Sequence, residues 1–268
     1  MAFLFNRGRN RTNPTDLPKQ ACDLLAKLDG PGGATKADEL TKNLGLIKAT
    51  LQGTNGTAPA VDSLHFGTRL TRRPDVETTP DQLYQLVCSI IDEGFLDSFA
   101  PNLHRLSFES RKDTQVIFSY VLRFKLPSAS PKDLPPALEY MVSRRPQILI
   151  DLCRGYEYKE SATPAGSILR EVLKHEPAAA IILYDDGAMG GSSAQGYNAI
   201  VTNRQQTGSG TFWKFFDWID KSSFEVAADA FTTFRVSPMT RGRRAGPLTR
   251  ANRSSLPDTR NWFPSTLR

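Results

Sequence analysis

Along most of this chain apolar residues recur at spacings of three and four, the period of a helix that buries one side. The clearest stretch is 161–184. Ala165, Ile168, Leu169, Val172 and Leu173 make one stripe there, Thr163 is placed to cap and Pro164 suits a first helical turn. Pro177 cannot continue the ladder of bonds, so the chain must break near His175–Glu176 before a second helix over 178–184. The expectation is a helical hairpin on which the neighbouring segments are patterned.

The pattern repeats. Residues 115–123 overlie 166–174 at an offset of 51, pairing Ile117 with Ile168, Val121 with Val172 and Leu122 with Leu173. Downstream, Phe224, Ala227, Ala228 and Phe231, then Ala230 and Phe234, read as a third copy. Recurring helices with no strand signal between them predict an all-α fold, a right-handed armadillo or HEAT-like solenoid in which each unit buries its stripe against its neighbours. An offset of 51 is long beside the roughly 40–47 residues of such units.

Further helices are expected over 16–29 and 34–52, parted by the glycines of 30–33, with Leu40, Leu44, Ile47 and Leu51 as the second stripe. Thr79-Pro80-Asp81 starts another, carrying Leu83, Leu86, Val87, Ile90 and Ile91. Segments 95–106, broken near Pro101, and 107–124, with Ile117, Tyr120, Val121 and Phe124 on one side, follow. Short helices over 137–142 and 147–153 lie beyond the proline-rich connector 127–136, and 211–220 and 222–235 close the periodic region. In 211–220 the residues Phe212, Phe215, Phe216 and Ile219 share a face, leaving Trp213 as the exposed ring. Turn residues fill 53–79 and 185–210, which read as long loops, and 1–14 reads as a flexible lead-in. The chain thus divides into a helical-repeat region, 1–235, and an irregular tail, 236–268.

Charge singles out that tail. The chain carries a net charge of +6, and 236–268 hold seven arginines and a single acid, Asp258, so the excess lies wholly there and the repeat region is balanced. A basic tail would suit a nucleic-acid-binding repeat protein, but the folded part has no net basic field to extend it, so nucleic acid is the weaker reading. The tail contains no lysine and no period, and is either a disordered basic extension or a departure from the true reading frame after Arg235.

Chemistry is sparse. Cys22, Cys88 and Cys153 are an odd, scattered set that fits reduced core thiols. His65, His104 and His175 do not cluster, and His175 reads as a cation at a helix end, so no metal site and no catalytic residue is expected. Asp185-Asp186-Gly187 lacks the spaced acids of a calcium loop. With no cofactor motif, no run near the roughly 20 apolar residues of a membrane span and no signal sequence, a cytoplasmic, non-enzymatic protein is expected.

Several longer stretches carry a resemblance. MAFLF at the start, KNLGLIKATLQGT (42–54), FESRKDTQVIFSYVLR (108–123), RPQILIDLCRGYE (145–157), SILREVLKHEPAAAIIL (167–183) and FWKFFDWIDKSSFEVAADAFTTFR (212–235) resemble the calcium-binding protein 39-like family of kinase-activating scaffolds, in particular its fungal conidiophore-development branch. The resemblance implies a horseshoe of helical repeats whose concave face holds a germinal-centre-type protein kinase or a pseudokinase in its active form, serving polarity, septation and conidiation. It also implies partner contacts at Phe224, Glu225 and Asp229, and at the equivalent polar positions Arg111, Lys112, Asp113, Arg170 and Glu171. The family continues through more helices past the position of Arg235, so a C-terminally truncated solenoid is expected.

Overall fold

The computed structural model describes residues 13–53, 79–126, 128–130, 133–185 and 210–236. Among them the chain forms eleven α-helices and no strand: α1 Leu17–Ala26, α2 Gly33–Gln52, α3 Pro80–Asp92, α4 Phe95–Phe99, α5 Phe108–Val121, α6 Pro136–Ser143, α7 Gln147–Arg154, α8 Lys159–Val172, α9 Glu176–Tyr184, α10 Thr211–Lys221 and α11 Phe224–Val236. Short 3-10 turns, Leu103–Arg105 and Gly155–Glu157, precede α5 and α8. The expected loops 53–79 and 185–210, the lead-in 1–14 and the tail 236–268 lie almost wholly outside the described residues.

Local chemistry sets the helix starts. The Thr79 hydroxyl accepts from the Gln82 N–H at 3.3 Å while the Gln82 side chain accepts from the Thr79 N–H at 3.1 Å, a reciprocal box that fixes α3 where Thr-Pro-Asp predicts it. Ser107 caps α5 in the same sense, accepting from the Ser110 N–H. Gly94, at φ +68°, makes the left-handed turn from α3 into α4.

The offset of 51 is realised in three dimensions. Helices α5 and α8 are both 14 residues long and begin at 108 and 159, and Ile117, Val121 and Leu122 are buried as their counterparts Ile168, Val172 and Leu173 are. They pack side by side, with α2 on the far side of α5 and α11 on the far side of α8, so α2, α5, α8 and α11 form a continuous ladder.

Three of the four rungs, α5, α8 and α11, close a unit of three helices, and α2 closes the pair α1–α2. The groups α3–α4–α5, α6–α7–α8 and α9–α10–α11 are the repeats, and the hairpin expectation for 161–184 is corrected accordingly. Helix α8 packs on α5, α7 and α11, whereas α9 packs on α6, α7 and α10. The break at Pro177 is therefore a boundary between units and not the tip of a hairpin. The start of α8 also differs from expectation. It lies at Lys159, five residues before Pro164, and Thr163 is an exposed helical residue that caps nothing. Packing overrides the proline signal: Ser161 and Ala162 are buried, and the Ser161 hydroxyl donates 2.8 Å to the Gly155 carbonyl.

On α11 the buried face matches the expected one only at Ala230 and Phe234. Val226, Ala230 and Thr233 are inside, while Phe224 and Ala228 are exposed and Phe231 is 37% exposed. The reason is polar: Asp229 and Thr233 bond to α8 and to Tyr156, and a count of apolar positions does not register that attraction. Phe234 joins Phe212, Phe215 and Phe216 in an aromatic cluster between α10 and α11. Trp218, outside the face expected on α10, is buried against Tyr156 and Phe215.

Candidate interaction surface

The ladder helices are joined by polar struts, one set per joint. Between α2 and α5, Lys48 pairs with Asp113, whose side chain is only 10% exposed, and Thr41 bonds Ser110 at 2.8 Å. Between α5 and α8, Gln115 donates to Ser167 at 2.9 Å and Arg123 clamps both oxygens of Glu171 at 2.7 and 3.2 Å. Between α8 and α11, Arg170 donates to Asp229 at 3.0 Å and to Thr233 at 2.9 Å. A charge-assisted bond has strict geometry, so each strut fixes the register of one rung on the next.

The residues for which partner contact is expected fall into two groups. Asp113, Arg170, Glu171 and Asp229 are struts, with their charges engaged between rungs. Arg111 donates to the Leu106 carbonyl at 2.6 Å and so fastens the start of α5. Lys112, Glu225 and Phe224 are the outward-facing ones. Lys112 pairs with Glu109 and sits 5.3 Å over the Phe108 ring, and Glu225 pairs with Lys159 at 3.1 Å. Phe224 is 87% exposed, the most open large apolar side chain of the described residues.

Phe224 has company that periodicity missed. Phe108 is 64% exposed and Tyr158 44% exposed. Phe108 opens α5, Tyr158 is the N-cap of α8 and Phe224 opens α11, so three successive rungs begin with an exposed aromatic residue, that of α8 stacked by one face on His104. The signal was present: Phe108 lies nine residues, two and a half turns, before the buried Ile117 and so on the opposite side of its helix.

Electrostatics follow the packing. Burial pushes the Tyr156 phenol far above its ordinary value, and the Asp229 carboxylate adds to this, so the group stays a neutral donor. Burial alone would raise Glu171, but the bonds from Arg123 and Lys174 outweigh it and hold that carboxyl below its ordinary value. His175 is corrected: it is the N-cap residue of α9, and burial together with Lys125 and Lys174 lowers its pKa, so it does not act as a cation on a helix end. Asp185 accepts from the N–H of Thr211 at 3.0 Å and from its hydroxyl, capping α10. No group of three potential metal ligands occurs among the described residues, and no described helix is long and apolar enough to cross a membrane.

Three-helix units stacked into a strutted ladder, with aromatic rings at the rung ends, define an all-α helical-repeat protein. The chain belongs to the Mo25-like family, which matches residues 3–243. It is 46% identical over 236 residues, 88% of its length, to the conidiophore development protein hymA of Emericella nidulans, and covers 56% of that protein. The Mo25-like protein of Schizosaccharomyces pombe is 32% identical, with 88% of this chain and 56% of the relative covered. The human calcium-binding protein 39-like is 29% identical over 229 residues, 85% of this chain and 53% of the relative. The chain thus spans about half the length of the curated relatives it matches.

Proposed function

We propose that this chain is a non-enzymatic scaffold of intracellular signalling, working in the cytoplasm, that binds a germinal-centre-type serine/threonine kinase or a pseudokinase across its ladder face. The observation that carries the reading is Phe224, a nearly fully exposed phenylalanine held on a rigid helix whose opposite face is locked to α8. Large exposed rings on rigid elements are the usual anchors of protein interfaces, since they bury area at little entropic cost. Phe108, Lys112, Tyr158 and Glu225 extend the surface.

The mechanism needs no reacting group. A preformed surface that binds the active conformation of a kinase more tightly than the inactive one shifts the population by the ratio of the two affinities. The struts supply the rigidity this requires. The name of the Emericella relative, a conidiophore development protein, supports the conidiation part of the role we propose in fungal polarity, septation and conidiation.

The reading is tested by adding the purified chain to germinal-centre-type kinases and measuring phosphorylation of a model substrate. A rise in rate that Phe224→Ala abolishes supports it. An unchanged rate with every such kinase, and with kinase–pseudokinase pairs, contradicts it.

A further inference from the structure

A cavity of about 200 Å³ opens where the turn between α4 and α5, in the first of the three-helix units, meets the end of α7 and the start of α8 in the second. His104, in the 3-10 turn before α5, and Tyr158, the N-cap residue of α8, stack there with ring centroids 3.9 Å apart and planes 8° from parallel. The last turn of α7 and the 3-10 turn after it contribute Asp151, Arg154 and Glu157, and Ser161 lines the cavity as well, opposite the apolar turn before α5.

Both carboxylates of this lining meet their cations only in long ion pairs. It holds two carboxylates and one guanidinium, and Arg154 reaches Asp151 only at 3.7 Å, the long end of an ion pair. Glu157 faces Lys214 at 3.6 Å. The C-terminal end of α7, the negative end of its dipole, lies in the same wall. An aromatic face attracts cations through its quadrupole, and Tyr158, with one face stacked on His104, keeps the other for this role while 44% exposed. Burial raises the Asp151 carboxyl above its ordinary value despite Gln147 and Arg154, the behaviour of a carboxylate whose charge is incompletely compensated.

We propose that this cavity is a subsite for a basic side chain, lysine or arginine, presented by a bound protein partner. The carboxylates of Asp151 and Glu157 and the carbonyl end of α7 meet the charge, and Tyr158 covers the aliphatic stem. Phe108 lies four residues beyond His104, and the Lys159–Glu225 pair ties the residue after Tyr158 to the one after Phe224. A partner engaging the exposed rings therefore passes the cavity. The partner's identity rests on the scaffold reading; the chemistry of the subsite does not.

The test is a titration of the intact chain, followed by amide NMR, with Nα-acetyl-arginine amide, Nα-acetyl-lysine amide and the neutral Nα-acetyl-glutamine amide. Saturable shifts at His104, Gly155 and Tyr158 are expected with one or both basic probes and not with the neutral one, the better basic probe naming the side chain. Asp151→Asn weakens that binding at least about tenfold. Should Asp151→Asn fail to fold, Tyr158→Ala takes its place, with a loss of about threefold or more expected from the missing cation–π face. Equal response to the basic and neutral probes, no saturable response to either basic probe, or unchanged affinity in the folded variant overturns the proposal. Saturable binding of the basic probes by a chain that stimulates no kinase would leave the subsite standing and the scaffold reading refuted.

Discussion

Tyr156 and Asp229 stand 73 residues apart in the chain, yet the tyrosine hydroxyl donates to Asp229 Oδ2 at 2.8 Å, and a second bond of 2.7 Å joins it to the Thr233 hydroxyl. Arg170 completes the group by reaching both Asp229 and Thr233, and Gly166 leaves room for it. This cluster, with Val226 and Ala230 buried on the same face, fixes the rotation of α11 that leaves Phe224 outward.

Removing one hydroxyl should loosen that rung. Tyr156→Phe leaves Asp229 and Thr233 short of a partner in a largely buried site, a loss of about 1–3 kcal/mol. Gly166→Ala should cost about 1–3 kcal/mol by overpacking, because a Cβ there collides with Asp229, Tyr156 and Arg170. Urea unfolding measures both. Wild-type midpoints for the pair would remove the cluster from the account.

Strut and surface residues should separate by what they change. Arg170→Ala leaves Asp229, whose side chain is 16% exposed, without its cation and with only the Tyr156 hydroxyl, and should lower stability by about 1–3 kcal/mol. Lys112→Ala touches an exposed pair and should stay within about 0.5 kcal/mol of wild type. If Lys112 contacts the partner, its substitution weakens binding without moving the unfolding midpoint, a contrast read by urea unfolding and titration calorimetry together.

The Arg123–Glu171 strut predicts an acid response. Glu171 has a lowered pKa in the folded chain, so its contribution is fully present above the unfolded carboxyl's value of about 4.3 and is lost as pH falls through the folded value. Glu171→Gln should flatten the fall in stability below about pH 4.5 and leave the neutral-pH slope unchanged. Thermal unfolding from pH 3 to 7 checks this.

The thiols should react in order of access. Cys153 is fully buried and its pKa is raised well above the ordinary value by burial, with Asp185 and Asp151 adding to it. Burial also raises half-buried Cys22. Iodoacetamide at pH 8 should leave Cys153 unmodified until the chain unfolds; modification of native protein at Cys153 would contradict the core packing.

Much of this architecture is legible in the sequence, for identifiable reasons. The offset of 51 predicts the matched helices α5 and α8 because identical burial demands identical apolar spacing, and Thr79-Pro80-Asp81 marks the start of α3 because a cap is a local bond. The unit of three was not legible, since it depends on which helices meet across the break at Pro177, a question of distance in space. The face of α11 was misread at Phe224, Ala228 and Phe231, though not at Ala230 and Phe234, because Asp229 and Thr233 point inward, drawn by Tyr156 and Arg170 from another unit. For the same reason the polar residues expected at the partner surface include four inter-rung struts. Phe224 was legible by resemblance, whereas Tyr158 sits outside any helical period and only its exposure reveals it.

The central claim is that the ladder presents a protein-binding face anchored by Phe224. Titration calorimetry of a purified germinal-centre-type kinase domain, or its pseudokinase partner, into the folded chain tests it most directly, with Phe224→Ala alongside. The account predicts saturable one-to-one binding to at least one such domain, weakened tenfold or more, about 1.4 kcal/mol, in a variant whose unfolding midpoint equals that of wild type. Binding that is identical in the two proteins, or absent from both with every such domain, contradicts it.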